Sequence, residues 1–436
     1  MSVFGLHVGF RYNLCRNKRA LLSAPAWLDT RGSRLVGRTK RHSFAGLSET
    51  VEQETHKSRA QRDNEDVVVV GSSAAGLYTA ACVARGGRRV SVLEAKPTPD
   101  PAPRTLIVTD YFKNQISPSA RSSILNEIRR FELFTDGRSA QIALKQPDLI
   151  IERSRLIRAL AEEAKHAGAD LRYDTRFLDL SPNAKGLHVH VDEGGKREEL
   201  HATSIIGADG AASRVARSAG WPPVETVPLV QAVVKLPKDC APDTTRVWFI
   251  PDDTPYFYWM IPESAERAAV GVIGEHGRST KACFDRFLER KGLEPLEWQG
   301  ARIPVYRKWV PVQRTVGNGE VYLVGDAAAQ VKVSTVGGIV TGFRGARGVA
   351  DSILRKGTSE LRTLRRELGT HWLIRRALHD FKQDDYSQLV DSLNDSARES
   401  LGEINRDEST RLLWSVILRQ PKLVLLGLRG MLLGKK

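Results

Sequence analysis

No apolar run reaches the roughly eighteen residues that a membrane-spanning helix requires, so no transmembrane segment is expected. Only four cysteines are present, Cys15, Cys82, Cys240 and Cys283, scattered and without a Cys-x-x-Cys pair. That excludes a disulfide framework and a zinc site recognisable by spacing, and it fits a reducing compartment. No metal site is expected. Acidic residues are scarce near the start: between Arg11 and Arg41, nine basic residues face Asp29 alone. Helix-turn-helix, zinc-finger and RNA-binding signatures are missing, so the net charge of +15 is not read as nucleic acid binding. It is read as an arginine-rich surface with a basic tail, or as attraction to anionic lipid or a phosphorylated substrate.

What is present is ordinary for a folded chain, with 41% hydrophobic and 27% charged residues. A chain of 436 residues is expected to divide into two or three subdomains. Residues 1–62 form a basic stretch without a clear strand or amphipathic helix. They read as a disordered extension or the result of an upstream start; organelle import is the lesser alternative, and the apolar centre of a secretory signal is missing.

Order is expected from Asp66. Val67–Val70 is an unbroken β-branched run, as in a strand buried on both faces. Gly71-Ser-Ser-Ala-Ala-Gly76 follows, then a helix-favouring stretch to Arg85, a Gly86-Gly87 stop and a second strand ending at Glu94. Residues 153–168 show a helical stripe of Leu156, Leu160 and Ala164. Leu171–Leu180, Leu187–Val191 and Ser204–Ile206 read as strands. From about residue 225 the texture changes. Val227–Leu236, Arg246–Ile250, Tyr256–Ile261 and Ala268–Ile273 are strand-like runs separated by Pro, Asp and Gly, which suggests an antiparallel sheet. Val321–Val324 returns to the buried type, and a helix is expected over 338–355.

Three strand–turn blocks carry the chemistry. In the first, small residues let backbone N–H groups at a helix N-terminus approach a pyrophosphate. Gly71 makes the turn, Ser73 stands at the middle position, Ala75 keeps the helix start small, and Gly76 allows close helix–strand packing. Glu94, at the end of the second strand, suits the ribose hydroxyls of a dinucleotide. The second block is Gly207-Ala-Asp209-Gly210 and the third Gly325-Asp326-Ala-Ala-Ala329, each after a short apolar strand. A strand-end Asp followed by small residues suits the ribityl hydroxyls of a flavin. Taken together and in this order, the blocks point to FAD.

The run Gly325-Asp-Ala-Ala-Ala-Gln-Val-Lys-Val-Ser-Thr-Val-Gly337-Gly338-Ile339-Val-Thr-Gly342 resembles the geranylgeranyl reductase family, within the FAD-dependent enzymes of the aromatic hydroxylase type. The resemblance covers about 66–430. It implies an α/β fold: a Rossmann-type FAD-binding domain (63–224 and 315–355), an inserted antiparallel-sheet substrate domain (225–314) and a helical C-terminal part (356–436). It implies that Gly71, Ser73, Ala75 and Gly76 meet the pyrophosphate and Glu94 the adenosine ribose. Asp209 and Gly210 back the pyrophosphate, and in the wider group this block also serves a reduced nicotinamide donor. Arg104 would reach a flavin phosphate or the ribityl chain, and Arg153 occupies a cofactor-side arginine position; either could instead be an ordinary surface or packing arginine. Gly325 and Asp326 would hold the ribityl chain, with Gly337, Gly338 and Ile339 along the flavin ring. Phe257, Trp259 and Pro262 match a substrate-domain motif of the family, with Phe257 where a Tyr is usual. Their strand would wall a prenyl cavity or serve as a core strand of the sheet. The family's Cys-x-x-Gly loop is replaced by Arg104-Thr-Leu-Ile-Val-Thr-Asp-Tyr-Phe112, which argues against a cysteine-assisted mechanism.

The expected activity is reduction of an isoprenoid C=C bond through FAD, with NAD(P)H or another donor as co-substrate. No general acid stands out. The rivals are an oxygen-using hydroxylase or halogenase, a non-redox cyclase and a non-enzymatic flavoprotein scaffold. The expected partner is a small isoprenoid or lipid, with no nucleic acid. Leu423–Lys436 would lie on a membrane surface or dock on the body. The expected location is cytoplasmic, with peripheral membrane contact.

Overall fold

The structure, a computed structural model, describes residues 64–98, 101–275, 279–419, 426–427 and 429. The expected extension at 1–62 and almost all of the basic C-terminal segment 423–436 lie outside them.

Sixteen strands follow along the described chain: β1 (Asn64–Val70), β2 (Val90–Leu93), β3 (Thr105–Val108), β4 (Ile124–Thr135), β5 (Arg138–Glu152), β6 (Asp170–Arg172), β7 (Thr175–Asn183), β8 (Gly186–Glu193), β9 (Lys196–Gly207), β10 (Thr226–Lys235), β11 (Thr244–Trp248), β12 (Tyr258–Pro262), β13 (Arg267–Ile273), β14 (Glu297–Pro304), β15 (Gln313–Val316) and β16 (Gly319–Leu323). The first sheet has the order β15-β16-β9-β1-β2-β6, with β7 and β8 continuing as a meander from β9. β1 is central and parallel to both neighbours, and Val67, Val68 and Val69 are wholly buried. This is why its sequence is apolar without alternation. The helix Ala74–Arg85 returns from β1 to β2 and packs between the helices Arg153–His166 and Ile339–Ile353. Tyr78 stacks on Phe343 at 4.6 Å between centroids.

The second sheet has the order β14-β10-β13-β12-β11-β4-β5-β3 and is antiparallel except for the β11–β4 pair. It corrects the expected boundary at 225. β3, β4 and β5 lie before that point in sequence, yet they extend this sheet and not the first. The β4–β5 hairpin turns at Asp136 and Gly137, whose φ values of 33° and 73° give the doubly left-handed turn that matches strand twist. Leu171–Leu180, expected as one strand, is two: Asp174 has a φ of 52° and breaks it between β6 and β7.

The C-terminal part is helical, with Ser359–Leu378, Gln383–Asp391, Asp395–Glu403 and Ser409–Arg419. The middle two pack on the β4–β5 hairpin through Val390, Leu393 and Ala397 against Ala140 and Leu133. Contact there is close: a Cβ on Gly402 would stand 2.0 Å from the Ala143 carbonyl oxygen. Among the described residues no helix is long and apolar enough to cross a membrane.

Candidate active site

The pairing register brings three strand ends together. Val70 of β1 lies opposite Gly207 of β9, which lies opposite Leu323 of β16. The backbone carries the alignment onward, with Ala208 N–H donating to Val70 O at 2.8 Å and Val324 N–H to Gly207 O at 3.0 Å. The three glycine-containing blocks, 255 residues apart at the extremes (71 to 326), thereby meet at the carboxyl edge of one parallel sheet, where open α/β sheets bind ligands.

A cleft of about 610 Å³ opens there. Gly71, Ser73, Ala75, Glu94, Arg104, Arg153, Asp209, Gly210, Asp326, Gly338 and Ile339 all line it. Gly76 and Gly325 do not, but they shape its floor. A Cβ on Gly76 would meet Gly71 O at 2.4 Å and Ala208 Cβ at 2.8 Å, so the helix can approach the strand only without one. Gly325 has a φ of 62°, and its N–H donates to the buried Gln330 Oε1 at 2.7 Å. Gly71 has a φ of 99°, and a Cβ there would stand 2.7 Å from Ala208 O. Ser73 is the N-cap of the helix Ala74–Arg85, its Oγ accepting from Gly76 N–H at 3.2 Å. The other first-turn N–H groups and the positive end of the helix dipole face an anion site.

Glu94 is engaged more than the sequence suggests. Its Oε2 accepts from Ser72 N–H at 3.0 Å and Ser72 Oγ–H at 2.6 Å, and its Oε1 from Lys96 N–H at 3.0 Å. Both lone pairs of Oε2 are thereby used, and Oε1 keeps one for a further donor. Ser72 is thus a site residue that the glycine pattern did not reveal.

Arg104 and Arg153 are neighbours because Thr105 at the start of β3 pairs with Glu152 at the end of β5. Arg153 N–H donates to Arg104 O at 3.0 Å, and Arg153 Nη2 to Ala102 O at 2.9 Å. Burial, and then the like charge of Arg153, pull Arg104 down to about 10; Asp326 opposes both. Burial also lowers Arg153. The Asp326 carboxyl is pushed up by burial, against the pull of Arg104 and Arg153. Asp209 Oδ2 caps the short helix Arg214–Ser218, accepting from Arg214 N–H at 2.6 Å. Asp209 Oδ1, Arg104 Nε and Arg153 Nε are buried without a partner. Two arginines against one buried carboxyl, a helix N-terminus and three unsatisfied polar atoms fit a polar, anionic dinucleotide.

A second, mainly apolar cavity of about 300 Å³ lies against the cleft. Arg104, Leu106, Leu229, Val336, Gly338 and Ile339 line both spaces. Gly337 lines the second only. Phe257 and Trp259 form part of its wall in a T-shaped pair at 6.1 Å, with Phe131, Leu133, Ile142 and Phe249 further along. Trp259 Nε1–H donates to Gln231 Oε1 at 3.0 Å, which fixes the indole plane. Pro262 is not brought to the cavity: it ends β12, opposite Ala268, and its carbonyl accepts from Asn126 Nδ2 at 3.0 Å.

The loop between the two spaces rests on buried polar groups invisible to motif reading. Lys332 Nζ meets Asp407 Oδ1 at 2.6 Å, and Thr109 Oγ1 donates to the other oxygen of Asp407. Ser334 Oγ lies 2.6 Å from His371 Nδ1. Burial, with the Lys332 charge second, drives His371 down to about 3, so its imidazole is neutral at physiological pH. Val336, a β-branched residue, has a φ of 56°, a strained conformation held by the Lys332–Gly337 bridge around it.

Comparison with known proteins agrees with this geometry. Residues 64–355 match the family described as "FAD binding domain". A digeranylgeranylglycerophospholipid reductase 2 from Methanococcoides burtonii is 26% identical over 410 residues, covering 85% of this chain and 96% of the relative. Another, from Methanothermobacter thermautotrophicus, is 30% identical over 294 residues, covering 63% of this chain and 74% of the relative. The crystal structure of a geranylgeranyl bacteriochlorophyll reductase-like protein from Thermoplasma acidophilum superposes with a TM-score of 0.70, at 21% identity, over 83% of this chain and 98% of that one.

Proposed function

The chain belongs to the geranylgeranyl reductase family of FAD-dependent oxidoreductases, and from that premise we propose that it hydrogenates C=C bonds of a geranylgeranyl-type isoprenoid lipid. The observation that carries this reading is the shared wall: an apolar cavity adjoins the cofactor cleft through Leu106, Leu229, Val336 and Ile339. A long apolar substrate needs such a wall beside the reacting group.

FAD, when bound, supplies the two-electron chemistry, drawing on NAD(P)H or another donor. The chain's own residues do the rest. The N–H groups at the start of Ala74–Arg85, with Arg104 and Arg153, are suited to the pyrophosphate. Asp326 and Asp209 are suited to hydroxyl donors of the ribityl chain and its surroundings. Phe257 and Trp259 hold a prenyl chain by contact and keep water from the reacting carbons. Gln231 keeps the indole from turning, and its own amide is satisfied by Thr105 O at 3.1 Å and Gln299 Oε1 at 2.7 Å. The Arg375 guanidinium lines the same cavity, held over the Tyr256 ring at 4.3 Å. With Arg104 and Arg406 in the same lining, it offers a polar head group a cationic contact within a mainly apolar wall.

The test is anaerobic. Dithionite-reduced protein is incubated with geranylgeranyl diphosphate and with prenylated glycerolipids, and products are weighed by mass spectrometry. Gains of two hydrogens per bond reduced are expected. No gain while the flavin stays reduced would refute the reading; in a separate aerobic assay, NADPH-coupled oxygen consumption with these substrates would favour a monooxygenase.

A further inference from the structure

On the β7–β8–β9 meander, away from the strand ends that build the cleft, three histidines surround one carboxylate. Antiparallel pairing sets His188 opposite His201 and His190 opposite Glu199. Each strand contributes two residues spaced by two, so all four side chains rise from the same face. Glu199 is the centre. His188 Nδ1 lies 2.7 Å from its Oε1, His190 Nδ1 3.5 Å from its Oε2, and His201 Nε2 3.9 Å from its Oε1. The ligand atoms of His188, Glu199 and His201 all fall within 4.8 Å of one another.

Two of the outward nitrogens have partners of their own. His190 Nε2 lies 3.2 Å from Ser181 Oγ, and His201 Nδ1 lies 3.4 Å from the Asn183 amide. Both partners come from β7, the next strand out. This is how metal-ligating imidazoles are commonly held: one nitrogen inward, the other fixed by an outer polar group.

We propose that His188, Glu199 and His201 form a binding site for a first-row divalent metal, zinc foremost, with His190 holding the other oxygen of Glu199. Imidazole and carboxylate both suit zinc, and a solvent molecule would complete four-coordination. Tetrahedral zinc with bonds of about 2.0–2.1 Å places its ligand atoms roughly 3.4 Å apart. The His188 and His201 nitrogens lie 2.7 and 3.9 Å from Glu199 Oε1, on either side of that value, and the three ligand atoms lie within 4.8 Å of one another, so side-chain rotation would close the site while the backbone register stays fixed. The ligands, His188 from one strand and Glu199 and His201 from the next, fall outside the Cys-x-x-Cys and His-x3-5-His spacings of common structural zinc sites, and strand pairing is what brings them together. The metal would bind β8 to β9. The site does not depend on the reading of the active site.

The experiment uses the full chain without an affinity tag, loaded with FAD and stripped of metal. Zinc chloride is titrated in competition with a chromophoric chelator. One saturable equivalent is expected, and His188→Ala and His201→Ala are each expected to weaken it by at least about tenfold. Thermal unfolding is expected to shift upward with one equivalent of zinc, and the shift to vanish in the double variant. Flavin content and far-ultraviolet circular dichroism report that the variants fold. Absence of a saturable equivalent in the parent, or parent-like affinity in the folded double variant, would overturn the assignment.

Discussion

Gly76→Ala isolates the packing on which the cofactor cleft rests. The added Cβ would stand 2.4 Å from Gly71 O and 2.8 Å from Ala208 Cβ, where ordinary contact begins at 3.4 Å. Neither neighbour is the flexible end of a side chain: one is the turn of the first block, the other the turn of the second. Relief therefore requires the start of the helix Ala74–Arg85 to withdraw by about 1 Å at the closest point. Overpacking of this kind costs about 1–3 kcal/mol. Placed wholly on cofactor binding, that is about 5- to 150-fold in Kd. Flavin fluorescence titration of the apoprotein measures the binding share, and thermal unfolding of the apoprotein measures the folding share. Gly369→Ala is the matched control. It lies within the helix Ser359–Leu378 with nothing within 4 Å of its Cβ, so it is expected to leave FAD affinity alone and to stabilise by about 0.5–1 kcal/mol. A Gly76→Ala protein with parental Kd and parental unfolding temperature would refute the close-packing argument.

Lys332→Met leaves Asp407 charged and buried, and is expected to cost about 3–5 kcal/mol in urea unfolding; adding Asp407→Leu should recover much of it. His371 has a folded pKa of about 3 against its ordinary 6.5, so the unfolded chain binds the extra proton between those values. Its contribution to stability is therefore present above pH 6.5 and lost as pH falls toward 3, by up to about 1.4 kcal/mol per pH unit; unfolding temperature between pH 7.5 and 5 should fall less steeply in His371→Gln. Asp326→Ala should purify with a clearly lower 450 nm to 280 nm absorbance ratio, and parental flavin content would sink its cofactor role. Trp259→Ala should keep its flavin yet lose on the order of tenfold in turnover of prenyl substrate, equivalent to about 1.4 kcal/mol of lost contact; unchanged turnover would remove Trp259 from the substrate wall.

The parts of the fold legible in the sequence are those where burial is uniform. Val67–Val70 and Val321–Val324 lie in or beside a sheet covered on both faces, so their sequences are apolar without interruption. The β4–β5 hairpin left no such trace. Most of β4 is half-buried and β5 alternates with exposed positions, so charged residues such as Arg130, Glu132 and Lys145 break the pattern. The glycine blocks announced the cleft because turns and close approaches require specific residues at fixed offsets. The Lys332–Asp407 pair spans 75 residues and the Ser334–His371 contact 37, and neither offset has any regular meaning along a chain. Ser72, adjacent to the recognised turn, escaped notice because a serine there also suits an ordinary loop.

The alignment of three strand ends also constrains the order of events during synthesis. The cleft needs Gly71 from β1, Asp209 beyond β9 and Asp326 beyond β16. At ribosomal speeds the last of these leaves the ribosome roughly ten to fifty seconds after the first. During that interval β1 can pair with β2 and β9, but the outer wall from β16 is missing and the helix Ile339–Ile353 has not arrived. FAD can select only the finished edge, and so it stabilises the end product by mass action without guiding the early steps. Cells grown with little riboflavin should therefore contain chains that have folded but are less protected against unfolding and proteolysis. The yield of intact protein should then follow the flavin supply more closely than the amount of message.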